Sequence, residues 1–195
     1  SEMCIRDRPE AVRVLAEGDF GAVAQRFAQA GFTVSLPAPG ILSVKAASPD
    51  PARASVLVSV GVHGDETGPI EMVAWLVDTL SRTPQALAVD LMLCVGNIDA
   101  IAQGKRFIDA DLNRMFRTER GALASAFEAA RADALIAATC AFFEGAGPQR
   151  WHLDLHTAIR PSHYPMFAIV PEIIPEAPRK ALIDWLCLLY TSDAA

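Results

Sequence analysis

The sequence predicts an α/β sandwich of three layers, in which a mainly parallel, mixed sheet lies between helices. Three observations lead there. Short apolar runs of strand length alternate with longer segments whose apolar residues recur at helical spacing. One run, "VDLMLCVGN", is almost continuously apolar, as in a strand buried on both faces of a parallel sheet. Of the 195 residues, 52% are hydrophobic, enough to fill a sizeable core in one domain.

The elements follow in order. Pro9 suits an early helix position, and "EAVRVLAEGDFGAVAQRFAQAGF" reads as helix interrupted near Gly18. "ILSVKAA" and "ASVLVSV" read as strands, separated by the turn "SPDPAR", whose two prolines forbid continuation. "GPIEMVAWLVDTLSR" has helical periodicity, with Gly68 and Pro69 at its start. After the strand "VDLMLCVGN", the stretch "ERGALASAFEAARADALIAATCAFFEGAG" reads as one long alanine-rich helix that stops at a glycine. "WHLDLHT" and "YPMFAIVP" read as two further strands.

Composition excludes several roles. A net charge of -6 argues against a nucleic-acid partner, which calls for a basic face. No apolar run reaches the roughly 18–20 residues that cross a bilayer, and "SEMCIRDRPE" has no stretch of signal-peptide type. Cys4, Cys94, Cys140 and Cys187 are scattered without a C-x-x-C pair, so reduced cysteines in a cytoplasmic protein are expected. The terminal stretches "MCIRDR" and "CLLYTSDAA" look like translated adaptor sequence. Residues 1–8 and 187–195 are therefore expected to be non-native tails on a domain spanning 9–186.

Ligands of an open α/β sheet bind beyond the carboxyl ends of its strands. "GVHGDETGPIEM" follows the strand "ASVLVSV" at once and places His63 and Glu66 there, among glycines that let the backbone turn sharply. An imidazole and a carboxylate three residues apart suit a divalent metal such as zinc, although the same pair also occurs on surfaces, with the acid at a helix N-terminus. A catalytic zinc wants three protein ligands, and His156 at the end of "WHLDLHT" is the candidate third, on the same sheet edge. Alternation puts His152, Asp154 and His156 on one face, so Asp154 is placed to orient a neighbouring ligand. His152 and His163 read as structural or pocket-lining residues.

Between these motifs, "GNIDAIAQGKRFIDADLNRMFR" is dense in charge. Arg106 and Arg114 offer planar forks that match carboxylates, Asn113 adds a short polar contact, and Asp111 is placed to hold an arginine. The alternative is a solvated loop with surface ion pairs of little energetic weight.

Together "GVHGDETGPIEM", "GKRFIDADLNRMF" and "HLDLHTAIRPS" resemble the succinylglutamate desuccinylase and aspartoacylase family, zinc amidohydrolases related to the metallocarboxypeptidases. The similarity covers most of residues 34–171, and "DLHTAIR" is closer to the desuccinylase branch. The resemblance implies a zinc-carboxypeptidase-like fold and one zinc per chain, held by His63, Glu66 and His156. It implies that Arg106 polarises the scissile carbonyl, that Asn113 and Arg114 hold a substrate carboxylate, and that Asp111 supports their loop. The implied reaction is hydrolysis of N-succinyl-L-glutamate to succinate and L-glutamate in bacterial arginine catabolism.

One departure limits this reading. The family takes its glutamate base from a segment well after the third ligand, leading to a small β-rich domain. Glu172 and Glu176 come too soon after His156 to match and read as loop and helix-start residues. Without a base the rate falls by roughly 10²–10⁴-fold. A fragment cut before that domain is thus one expectation. A non-catalytic protein binding zinc or dicarboxylates is the other, with an aspartoacylase-type deacylase as the alternative within the enzyme class.

Overall fold

The computed structural model describes residues 10–158 and 167–191, and the chain divides into two units, 1–157 and 158–195. In the first unit, helices α1 (Glu10–Glu17) and α2 (Gly21–Gln29) are followed by strands β1 (Thr33–Ser35), β2 (Ile41–Lys45) and β3 (Ser55–Val60). Helix α3 (Thr67–Arg82), strand β4 (Asp90–Val95), helices α4 (Ile98–Gln103) and α5 (Ala129–Phe143), and strand β5 (Arg150–Asp154) complete it.

The strands form a five-stranded mixed sheet in the order β1-β2-β4-β3-β5. The site-bearing half is parallel, with Val60 of β3 opposite Val95 of β4 and Ser59 of β3 opposite Asp154 of β5. An antiparallel flank is added by β1 on β2 and β2 on β4. The short strand β1 follows Phe32 directly, where the sequence reads as the end of a helix, and only pairing with β2 makes it a strand.

Alternation along the strands gives two cores and accounts for three layers. Val58, Val60, Leu93 and Val95 pack with Leu15 of α1, Phe27 of α2 and Ile70 and Val73 of α3. Ile41, Leu57, Met92 and Cys94 turn to the opposite face, towards Leu135 and Phe142 of α5. Each fully buried leucine or phenylalanine contributes about 1.5–3 kcal/mol relative to exposure, so both faces of "LMLC" stabilise the centre. Gly18 separates α1 from α2 at φ +67°, and a Cβ there would lie 2.7 Å from the Gly40 backbone.

Two expectations need correction. The predicted long helix over 119–147 is a 3-10 turn at Gly121–Ser125 followed by α5, which begins only at Ala129. Ala126 is extended, and the chain turns there to send the side chain of Glu128 inward. In "YPMFAIVP", residues 167–171 form no strand, and 164–166 lie outside the described residues, as do His163 and Arg160.

In the second unit, a turn over 172–174 leads into α6 (Glu176–Thr191). Glu172 lies in that turn, where its carbonyl accepts from Arg179 Nη1 at 3.3 Å, and Glu176 opens the helix. Among the described residues, no helix is long and apolar enough to cross a membrane.

Candidate metal centre

Beyond Val60 the chain must leave the sheet and turn back within a few residues. Gly61 supplies the left-handed step at φ +65°. Gly64 supplies a close approach, because a Cβ there would meet the carbonyl carbon of Ala100 at 2.3 Å. Its N–H donates to the carbonyl of Arg106 at 3.1 Å, which sets the histidine turn beside the arginine segment. Glu66 then stands at the N-cap position of α3.

His63 and Glu66 are almost fully enclosed, 3% and 6% exposed, and His156 sits two residues past the end of β5 on the same sheet edge. Potential ligand atoms of His63, Glu66 and His156 all lie within 4.8 Å of one another. His63 Nδ1 is 2.9 Å from Glu66 Oε1, and His156 Nδ1 is 2.9 Å from Glu66 Oε2. Both imidazoles therefore aim the same nitrogen at one carboxylate. The remaining capacity of Glu66 is filled by Arg106 Nη1 at 3.1 Å and the Thr157 N–H at 2.9 Å.

The outer nitrogens are also engaged. His156 Nε2 faces Asp154 Oδ2 at 2.9 Å, and His63 Nε2 faces Asp111 Oδ1 at 3.1 Å and Arg106 Nη2 at 3.0 Å. Asp154 is in turn fixed by the Ser59 hydroxyl, which donates to its Oδ1 at 2.6 Å. Having spent its proton there, Ser59 accepts from His152 Nε2 at 2.8 Å. His152 and Ser59 from one side and His156 from the other thus direct their donors towards Asp154.

The charges follow from these contacts. Burial raises the Glu66 carboxyl, but the Thr157 N–H and the two histidines outweigh it, leaving Glu66 below its ordinary value. Asp154 is likewise lowered, burial being overcome by hydrogen bonds from His156 and Ser59. His156 is raised, first by its bond to Asp154 and against its burial, with the charge of Glu66 adding to the effect. Burial lowers His152 below its ordinary value, against the opposing charge of Asp154.

This donor set fits a divalent cation. Each nitrogen of His156 faces a carboxylate, so a single proton on the ring leaves one acceptor pair opposed. A cation between Nδ1 and Glu66 removes that opposition while Nε2–H donates to Asp154, the arrangement common around metal-bound imidazoles. Two imidazoles and one carboxylate are also the protein ligand set of many catalytic zinc sites.

The arginine segment is brought to this centre unevenly. Arg106 touches both Glu66 and His63. Asp111 reaches His63 and accepts the Asn113 N–H at 2.9 Å, while Arg114 Nε stands 3.9 Å from Asp111 Oδ2. Asn113 and Arg114 themselves are exposed on the 3-10 turn Leu112–Arg114, with side chains available to a ligand. Two residues were missed from sequence. Ser59 had a signal, being a polar residue inside an apolar strand. Glu128 had none, since its partners lie 18 to 31 residues away.

The profile of the succinylglutamate desuccinylase/aspartoacylase catalytic domain matches residues 52–191 of this chain. The chain belongs to this family. A succinylglutamate desuccinylase of Burkholderia cenocepacia is 46% identical over 150 residues, covering 75% of this chain and 43% of that protein. Among solved structures, the succinylglutamate desuccinylase of Chromobacterium violaceum is 38% identical with a TM-score of 0.59, covering 69% of this chain and 43% of the other. That of Vibrio cholerae is 34% identical with a TM-score of 0.63, over 69% and 39%. The chain spans less than half the length of these relatives. Family membership supports the α/β fold and agrees with the three motifs on which the resemblance rests.

Proposed function

We propose that this chain provides the metal-binding and substrate-binding part of a zinc-dependent amide hydrolase acting on N-succinyl-L-glutamate. The observation that carries the reading is the convergence of His63 Nδ1 and His156 Nδ1 on the two oxygens of Glu66, with Arg106 alongside. Bound there, zinc supplies Lewis acidity towards the amide carbonyl and a water made nucleophilic near neutral pH.

The chain's own groups do the rest. Asp154 keeps the proton of His156 on Nε2 and so presents Nδ1 as a lone pair. Arg106, partly exposed and anchored on Glu66, donates to the carbonyl oxygen as negative charge grows on it. Asn113 and Arg114 take a substrate carboxylate, for which a planar guanidinium is suited. A trianionic substrate accounts for exposed arginines at the site of a chain with net charge -6. Binding of metal and substrate is the direct test of the residues named here.

The measurement is elemental analysis of the purified chain and of His63→Ala and His156→Ala. About one zinc per chain is expected in the unaltered protein, and little in either variant. Equal zinc in all three would remove the assignment.

A further inference from the structure

Glu128 is fully buried, 0% exposed, and its contacts include no cationic side chain. Such a carboxylate is costly unless every oxygen is satisfied by donors. Here Oε1 accepts from the Ile108 N–H at 2.7 Å, the Asp109 N–H at 3.2 Å and Asn97 Nδ2 at 3.2 Å. Oε2 accepts from the Ala110 N–H at 3.0 Å and, at 3.3 Å, shares that of Asp109. Three consecutive backbone N–H groups therefore wrap one anion, in the manner of an anion-binding backbone concavity. Burial alone would raise the Glu128 carboxyl, yet these donors leave it below its ordinary value.

The clasp is reciprocal. Asp109 returns a bond, its Oδ2 accepting the Phe127 N–H at 3.1 Å. Asn97 caps α4 through Oδ1 while its amide group reaches Glu128, so the end of β4 is tied in as well. The segment held in this way runs directly into Asp111, Asn113 and Arg114. All partners are donors, so a glutamine at this position would turn an NH2 group against N–H groups.

We propose that Glu128 is a positioning residue for the substrate loop, its carboxylate shaping residues 108–110 so that Asp111 reaches His63 and Asn113 and Arg114 stand beside the metal centre. The proposal rests on the reading that Asn113 and Arg114 hold a substrate carboxylate. It assigns to Glu128 no contact with substrate or metal.

The test compares the unaltered chain with Glu128→Gln and Glu128→Asp by hydrogen–deuterium exchange, zinc analysis and calorimetric titration with N-succinyl-L-glutamate. In Glu128→Gln, the amides of 108–110 should exchange about ten-fold faster or more, with zinc unchanged and affinity lower by about ten-fold or more. Glu128→Asp, which keeps the charge, should recover part of that affinity. Unchanged affinity overturns the proposal whether or not exchange is faster, because Glu128 would then be a structural clasp only. Loss of zinc in step with affinity also overturns it, as general unfolding. If neither variant folds, the unaltered chain decides. Exchange at 108–110 as fast as in residues 117–119 overturns the proposal, and strong protection sustains it. An unaltered, zinc-loaded chain that binds no N-succinylglutamate refutes the proposed function, and the Glu128 proposal that rests on it falls with it; binding by the unaltered chain with equal binding by Glu128→Gln overturns the Glu128 proposal alone.

Discussion

Ser59 shows how a single hydroxyl can matter without touching a ligand. It accepts from His152 and donates to Asp154, and so holds in place the carboxylate that receives the Nε2–H of His156. Removing Asp154 leaves Nε2 of His156 without its acceptor and frees the ring to rotate. Asp154→Ala should therefore lower zinc affinity by about 10–100-fold, as replacement of outer partners of metal ligands commonly does. Ser59→Ala acts one contact further out and should lower it less. Competition with a calibrated chelator checks the order, and an equal or larger loss in Ser59→Ala would contradict the view that Ser59 acts through Asp154. Gly64 is constrained for a different reason: the backbone of Ala100 and Ile101 occupies the space of a Cβ.

At the level of elements, the site is assembled where two parallel strands end and two helices begin. β3 and β5 run side by side in register, so residues just past Val60 and Asp154 arrive at one edge. Neither α3 nor α5 makes a side-chain cap hydrogen bond at its N-cap residue, since Glu66 and Glu128 turn to other partners. Glu66 turns to the histidines and Glu128 to the loop carrying Asp111. For Glu128 the consequence can be read in stability. Its carboxyl is lowered in the folded chain from 4.5, so its contribution is fully present above about pH 4.5 and is lost as pH falls through the lower folded value. Glu128→Gln should cost about 1.5–3 kcal/mol at pH 7, the scale for hydrogen bonds to a charged group. Denaturant titrations of both proteins should show the difference shrinking below pH 4.5, and a difference independent of pH would refute the charge-based account.

Over the whole molecule, an acidic protein gathers Arg106 and Arg114 near one sheet edge. With zinc bound, its charge and these guanidiniums would offset Glu66, Asp111 and Asp154 and favour an anionic ligand despite the overall charge, because exposed charges beyond about 8–10 Å are largely screened at moderate salt. N-succinyl-L-glutamate carries one more carboxylate on its acyl group than an N-acetyl analogue does. The zinc-loaded chain should therefore bind it more tightly than N-acetyl-L-aspartate, with the margin narrowing as salt is raised. Calorimetry at two ionic strengths tests this, and tighter binding of the acetyl compound would favour the aspartoacylase-type alternative.

The sequence by itself determined the alternation of strands and helices, the apolar centre of the sheet and the metal-capable trio, because each leaves a local trace. "LMLC" is apolar at every position, H-x-x-E follows a strand at once, and His156 closes another. Only tertiary structure decided that β1 is a strand, since three residues acquire that state by pairing with β2. It also broke the predicted helix before Ala129, because the buried Glu128 is stabilised by N–H groups far away in sequence and not by local propensity. The same holds for the orientation of each imidazole. Spacing can bring His63, Glu66 and His156 to one edge, but which nitrogen faces Glu66 is set by Asp111, Asp154 and Ser59, whose positions depend on the packed sheet.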